Sequence, residues 1–222
     1  MTNSLSSSAP RIYSASRWVG DVMLFERDPA VTVGVRRQSP GQASVVHASD
    51  ELCYFVGGRG TFRRDSGEVV DVEPGTVVHF KEGWTGTVDV DTALDCSFVR
   101  ARGQEGVGDR TPVLRGALTA GPLTEWGAIS TMVVGQSHTA GILLSREAGR
   151  RLETGIWTCT PGTWRLRVSQ DEFCHFIDGH CVYYHESGET IEIQPDTLAV
   201  FPAGWTGVCE VERNMRKVYM IV

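Results

Sequence analysis

Short apolar or alternating runs, separated by turn residues, recur along the first half of the chain. They fall at residues 45–46, 52–56, 69–72, 76–80 and 87–90. Turn signals such as Glu73-Pro74-Gly75 separate them, because glycine takes positive φ and proline presets φ for a turn. Strands of about five residues, bounded in this way, are typical of a small sandwich or barrel. The pattern therefore predicts an all-β fold.

The same pattern occurs a second time. Residues 33–98 align without a gap with residues 154–219 at a constant offset of 121 positions. The string Gly-Trp-Thr-Gly recurs intact at 83–86 and 204–207. This period is far longer than that of a solenoid repeat, so it indicates two copies of one small domain.

The repeat predicts four segments along the chain. The Ser-rich, polar stretch 1–10 is expected to be a disordered arm, and 101–121, rich in Gly, Arg and Pro, is expected to be a linker. The two domains are then 11–100 and 122–222.

Composition narrows the classes of function. Among 222 residues, 27 acidic against 21 basic side chains leave a net charge of −6, which argues against nucleic-acid binding. No stretch approaches the roughly 18 apolar residues of a membrane helix, and the N-terminus lacks the features of a secretory signal. The six cysteines form no C-x-x-C pair. We therefore expect a cytoplasmic protein with reduced, mostly buried thiols.

Each repeat resembles a cupin. In the first cupin motif a Glu is followed, after six residues, by a Gly before a hairpin, and 51–58 and 172–179 match it. In the second, a Pro-containing turn and a strand precede a Pro-x-Gly triplet, and 74–83 and 195–204 are similar. The Gly-Trp-Thr-Gly string is similar to that of the small DUF861-like cupins. The resemblance implies a bicupin with two tandem jelly-roll barrels (double-stranded β-helices), each with a cup between its sheets.

The resemblance also implies a test for metal. Metal-dependent cupins use a His-x-His pair, the motif Glu, and a later His. The first repeat keeps His47 and Glu51, but has Val45 and Gly86 at the other two positions, and the second repeat keeps only Glu172. Two ligands hold a divalent transition metal weakly. We therefore expect no metal cofactor, with a weak divalent site in the N-terminal cup as the alternative.

The candidate catalytic residues are Glu51, His47 and Glu172. In a partly apolar cup the pKa of a carboxyl rises, which suits acid–base chemistry, and His47 lies four residues before Glu51. Structural roles are the alternatives, in hydrogen bonds to turn amides, in core packing or on a solvated face. Further candidates, for substrate binding, are His79, Arg165, Lys217, Tyr219 and Trp205.

Three hypotheses for function remain open. The first is a metal-independent bicupin enzyme of the isomerase, cyclase, lyase or hydrolase type, acting on a small polar metabolite through Glu172 or through Glu51 with His47. The second is a non-enzymatic cupin that binds a small molecule. The third is a metal-dependent oxygenase or hydrolase using His47, Glu51 and His79. The resemblance also makes a homodimer an expectation.

Overall fold

The computed structural model describes residues 11–14, 22–27, 31–102, 110–146 and 152–222. The predicted arm at 1–10 and residues 103–109 of the predicted linker lie outside the described residues. In the described parts no helix is long and apolar enough to cross a membrane.

The described residues form strands joined by turns, which confirms the all-β prediction. In chain order the strands are β1 (Arg11–Ser14), β2 (Val22–Arg27), β3 (Val31–Gln38), β4 (Gly41–Val46), β5 (Asp50–Arg64), β6 (Val69–Val72), β7 (Val77–Phe80), β8 (Thr85–Ala101), β9 (Val113–Leu114), β10 (Thr124–Ala128), β11 (Met132–Val134), β12 (His138–Arg146), β13 (Glu153–Cys159), β14 (Gly162–Arg167), β15 (Glu172–His185), β16 (Thr190–Ile193), β17 (Thr197–Phe201) and β18 (Thr206–Ile221).

The chain divides into two compact units. In the described residues the N-terminal barrel comprises 22–27, 31–102, 110–123, 142–146 and 152–156, and the C-terminal barrel comprises 11–14, 124–141 and 157–222.

The sheet of the N-terminal barrel has the order β2-β3-β8-β5-β7-β9, with β4 paired to β8 and β6 paired to β5. The other sheet has the order β1-β17-β15-β18-β13-β12-β10, with β14 on β18, β11 on β14 and β16 on β15. The strand pairs of the described residues are antiparallel, as in a jelly roll.

The long strands β5 and β15 bend at the glycine of the first repeated motif. Gly58 has a φ of 80° and Gly179 a φ of 97°, values that favour glycine. A Cβ on Gly58 would lie 2.0 Å from the carbonyl oxygen of Ala93, and one on Gly179 would lie 2.3 Å from that of Asn214. Register shifts on either side of each glycine mark β-bulges, which bend the strand and increase its twist. The repeated Gly therefore allows one long strand to bend within the sheet of its barrel.

Equivalent edges of the two barrels are covered by segments of different origin. In the N-terminal barrel β9 pairs with β7, with Leu114 opposite Val77. In the C-terminal barrel β1 pairs with β17, with Tyr13 opposite Leu198, the residue that corresponds to Val77. Residues 11–14 belong to the predicted first domain and 113–114 to the predicted linker, and the structure pairs them with β17 and β7, respectively.

A matched set of four aromatic residues lies in the interior of each barrel. Phe80 and Trp84 have ring centroids 5.3 Å apart, and their counterparts Phe201 and Trp205 have centroids 5.4 Å apart. The remaining members are Phe55 and Phe62 in the first barrel and Phe176 and Tyr183 in the second. Large aromatic side chains bury much apolar area, so these sets stabilise the barrels and define the interior beside each motif Glu.

Candidate functional site

The motif Glu of each repeat points into its barrel. Glu51 begins the inner face of β5 opposite Arg100 of β8, and Cys53 follows two positions later opposite Phe98. Residues two apart on a strand share a face, so these four side chains lie together. The Glu51 side chain is only 1% exposed. This carboxyl therefore faces the interior of its barrel.

Two arginines hold Glu51 in place. Arg36 donates from Nη2 to Glu51 Oε1 at 2.8 Å, and Arg100 donates from Nε to Oε2. Both guanidiniums also lie over the ring of Phe98, with Cζ 5.4 Å and 4.7 Å from its centroid. The thiol of Cys53 donates to Oε1 at 3.1 Å. The carboxylate is thus fully bonded by side chains.

The raised pKa that we expected for Glu51 is wrong. Burial alone would raise the pKa of this carboxyl, but Arg36, His47 and Arg100 outweigh burial and lower it to about 2. Glu51 therefore stays ionised at neutral pH and acts as the acceptor of an ion-pair cluster.

His47 lies close to Glu51 without a hydrogen bond to it. The distance from His47 Nδ1 to Glu51 Oε2 is 3.8 Å, and the imidazole stacks on Phe80 with centroids 4.4 Å apart. Burial lowers the pKa of His47 to about 4, so the ring is neutral at pH 7. The structure brings the predicted pair together, but as a carboxylate beside a neutral, packed imidazole.

The C-terminal barrel holds a different cation on the equivalent carboxyl. Lys217 donates from Nζ to Glu172 Oε1 at 2.7 Å and to Cys174 Sγ at 3.3 Å. The ammonium also lies 4.8 Å from the ring centroid of Trp157. Burial favours the neutral amine, but Cys174 and Glu172 outweigh it and raise the pKa of Lys217 above its ordinary value. Lys217 is therefore a permanent cation facing inward.

The two carboxyls differ in their access to water. The Glu172 side chain is 19% exposed, against 1% for Glu51. Four partly buried apolar side chains pack against the same interior: Ile129, Met132, Trp157 and Leu166. The ion pair of Glu172 can therefore be approached from solvent, whereas the Glu51 carboxylate is covered.

His79 does not join His47 and Glu51. Side chains alternate along β7, so Phe80 faces the interior and His79 lies on the opposite face. There His79 is buried, with Nε2 3.6 Å from Asp50 Oδ2. The alternative set of metal ligands that included His79 is not assembled.

The other predicted binding residues fall in three different environments. Arg165 is exposed, because its neighbour Trp164 takes the inward face of β14. Trp205 is fully buried against Tyr183 and is a core residue. Tyr219 is buried opposite Cys174, on the same face as Lys217.

The residues present do not fit the four-ligand metal site of metal-dependent cupins. A Cβ at Gly86, the position of the later His, would lie 2.1 Å from the carbonyl oxygen of Arg63. At Gly207 it would lie 2.3 Å from that of Tyr184. The described residues contain no group of three or more His, Cys, Asp or Glu side chains arranged for a metal ion. In addition, the guanidiniums on Glu51 repel a cation.

Three residues of these clusters were missed from the sequence: Arg36, Arg100 and Trp157. The signal lay in the repeat itself, because Lys217 corresponds to Cys96 in the first copy. A buried Glu51 without a cation at position 96 required one on a neighbouring strand.

Comparison with known proteins agrees with this architecture. A family model described as the EutQ-like cupin domain matches residues 25–96 and 146–219. No curated protein matches the sequence.

All six cysteines lie in the described residues, where they are buried and form no disulfide, as expected.

Several solved structures share the fold. A protein of unknown function of the DUF861 family from Pseudomonas syringae pv. tomato is 16% identical, with a TM-score of 0.76 over 90% of this chain and 85% of that one. A cupin 2 conserved barrel domain protein from Leptotrichia buccalis is 12% identical, with a TM-score of 0.66 over 99% and 98%. A variant of oxalate decarboxylase from Bacillus subtilis is 14% identical, with a TM-score of 0.57 over 95% and 76%.

Proposed function

The chain belongs to the EutQ-like cupin family, and on that premise we propose that it is a metal-independent enzyme whose C-terminal cup moves a proton on a small polar metabolite. The observation that carries this proposal is the ion pair of Glu172 and Lys217, with Nζ 2.7 Å from Oε1 and the carboxyl 19% exposed. The fold alone assigns no reaction, since cupins host many activities.

The pair supplies two complementary groups. Lys217, whose pKa is raised by Cys174 and Glu172 against the effect of burial, stays charged and stabilises negative charge that develops on a substrate carbonyl or carboxylate. Glu172 accepts the proton from the adjacent carbon. A substrate that binds the ammonium places its acidic C–H next to the carboxylate, because the two groups are in direct contact. This chemistry is that of an isomerase or a lyase.

A binding protein without turnover is the second candidate. It is favoured by the N-terminal cup, where Glu51 is sealed and held by two arginines. The Glu51 carboxylate orients Arg36 and Arg100 but, with a pKa of about 2, exchanges no proton at neutral pH.

The two candidates are separated by hydrogen–deuterium exchange. Wild-type protein is screened by thermal shift against small 2-oxo acids, hydroxy acids and ureido compounds, because binding to the folded state raises the melting temperature. Compounds that bind are then followed by NMR in D₂O for exchange of the C–H next to the carbonyl.

We expect wild-type protein to catalyse this exchange, and Glu172→Gln to bind the same compound while exchange falls by about 100-fold or more. Glu125→Gln, an exposed carboxyl of the same barrel, is the matched control. Binding without exchange in wild-type protein overturns the enzymatic proposal in favour of the second candidate. Equal exchange in Glu172→Gln overturns the assignment of the base.

A further inference from the structure

A cluster of three charged side chains in the interior of the N-terminal barrel carries more positive than negative charge. Arg36 and Arg100 both bind one carboxylate, that of Glu51. Asp50, the residue before Glu51, lies on the opposite face of β5, where it approaches His79 and Lys81. The cluster of Arg36, Arg100 and Glu51 therefore keeps one uncompensated positive charge.

The uncompensated charge reaches solvent, although the carboxylate does not. The side chains of Arg36 and Arg100 are 22% and 39% exposed, over a Glu51 that is 1% exposed. Arg100 uses Nε on Glu51, and among the described residues its two terminal nitrogens have no acceptor. A guanidinium offers five N–H donors in a planar fork, so donors remain for a ligand.

A second observation comes from His47. Its side chain is 6% exposed, and its Nε2 atom is buried without a hydrogen-bond partner in the described part of the chain. Buried polar groups are nearly always hydrogen-bonded, so this nitrogen is open to a hydrogen bond from a ligand that reaches it.

We infer that this cluster is a binding site for a small carboxylate, held by Arg36 and Arg100 above the sealed Glu51, with His47 beside it. A carboxylate matches the planar fork of a guanidinium through two parallel hydrogen bonds. One monoanion also balances the single surplus charge, whereas a phosphate dianion exceeds it. The C-terminal cup has no such surplus, because Lys217 is matched by Glu172.

The test uses sodium acetate and sodium benzoate as probes, with sodium phosphate and sodium chloride at matched ionic strength. Binding is measured by calorimetry on the full chain, for wild type, Arg100→Gln and Arg59→Gln. Arg59 is the matched control, because it lies on β5 of the same barrel and is 71% exposed. We expect Arg100→Gln to weaken carboxylate binding by about tenfold or more, as for loss of a charge-assisted hydrogen bond. Arg59→Gln is expected to stay within twofold of wild type.

Three results would overturn the inference: equal responses to chloride and carboxylates, tighter binding of phosphate than of carboxylates, or unchanged binding in Arg100→Gln. If Arg100→Gln fails to fold, Arg100→Lys decides the question, because it keeps the charge and loses the fork. Carboxylate affinity lowered in Arg100→Lys supports the site, and unchanged affinity overturns it. None of these results depends on the activity proposed for Glu172.

Discussion

Cys96 and Lys217 occupy the same position in the two repeats. Where the first repeat has a thiol at this position, it has a cation, Arg36, on the neighbouring strand. Cys96 lies directly opposite Arg36 in the pairing of β3 with β8. The residue that corresponds to Arg36 is Trp157, whose ring lies 4.8 Å from Lys217 Nζ. The two repeats therefore carry this cation on different strands, although their Glu residues occupy equivalent positions. What each interior requires is a cation within reach of its Glu.

This exchange predicts that the cation of the C-terminal barrel can be relocated. Lys217→Cys leaves Glu172 unpaired and is expected to lower the free energy of unfolding by about 3 kcal/mol. Adding Trp157→Arg supplies a cation at the position that corresponds to Arg36, so the double variant should recover more than half of the loss. Urea unfolding of both variants measures the recovery.

The single variant Trp157→Arg serves as the control for relocation. It places a second cation beside Lys217, and we expect it to be destabilising on its own. If the losses of the two single variants simply add in the double variant, the compensation between these positions is refuted.

A second prediction concerns the unequal roles of the two carboxyls. Glu51 is buried and accepts from two arginines, whereas Glu172 is partly exposed and pairs with one lysine. Glu51→Gln leaves two arginines without their counter-ion and should lower the free energy of unfolding by about 4 kcal/mol, whereas Glu172→Gln leaves one ammonium and should lower it by about 3 kcal/mol. Thermal and urea unfolding compare the two directly. A larger loss in Glu172→Gln would contradict the assignment of Glu51 as the structural carboxyl.

The fold was accessible from the sequence because its signals are local or repeated. Turn residues and alternating runs are recognisable within a few positions of sequence. Each motif also occurs in both repeats, so its two copies support the same prediction. Gly58 and Gly179 illustrate this, since each stands at a bulge where a Cβ would collide with the facing carbonyl oxygen. The lengths of β5 and β8 were not anticipated, because a bulged strand continues where the pattern suggests two short ones.

The chemistry of the site depended on pairing between distant residues. Arg36 and Arg100 lie 15 and 49 positions from Glu51, and only the register of three strands brings them together. Without that register the carboxyl looked isolated in an apolar cup, and a raised pKa was the natural expectation. The orientation of His79 was equally inaccessible from the sequence, because the side of the sheet that it faces depends on where β7 begins.

A third prediction concerns pH. The pKa of His47 is about 4 in the folded chain, because burial lowers it from 6.5. Between these values the unfolded chain binds a proton that the folded chain does not, so stability falls as the pH decreases from 6.5 to 4. This single group accounts for roughly 3 kcal/mol across the window. We expect His47→Gln to flatten that part of the curve of unfolding free energy against pH.

Glu51 extends the same fall to lower pH. Its pKa is about 2 in the folded chain, against 4.5 unperturbed, so its contribution is present above 4.5 and is lost as the pH decreases toward 2. His138→Gln, an exposed histidine of the other barrel, is the control for His47→Gln. An acid limb of equal steepness in wild type and His47→Gln would rule out a neutral, buried His47.

The last prediction concerns a hydrogen-bond chain in the N-terminal barrel. Trp84 Nε1 donates to Thr111 Oγ1 at 3.1 Å, and that hydroxyl donates to Glu68 Oε2 at 2.6 Å. In the C-terminal barrel the equivalent Trp205 Nε1 is buried with no partner among the described residues. Thr111→Val should cost about 1–3 kcal/mol of unfolding free energy, because it leaves the buried indole donor unpaired.

Thr119→Val is the matched control for this chain, since Thr119 is exposed on the same connecting segment and should change stability by less than about 0.5 kcal/mol. Thr111→Ser keeps the hydroxyl and should retain most of the stability lost in Thr111→Val. Equal stability of Thr111→Val and Thr119→Val in urea unfolding would show that the indole is satisfied in another way.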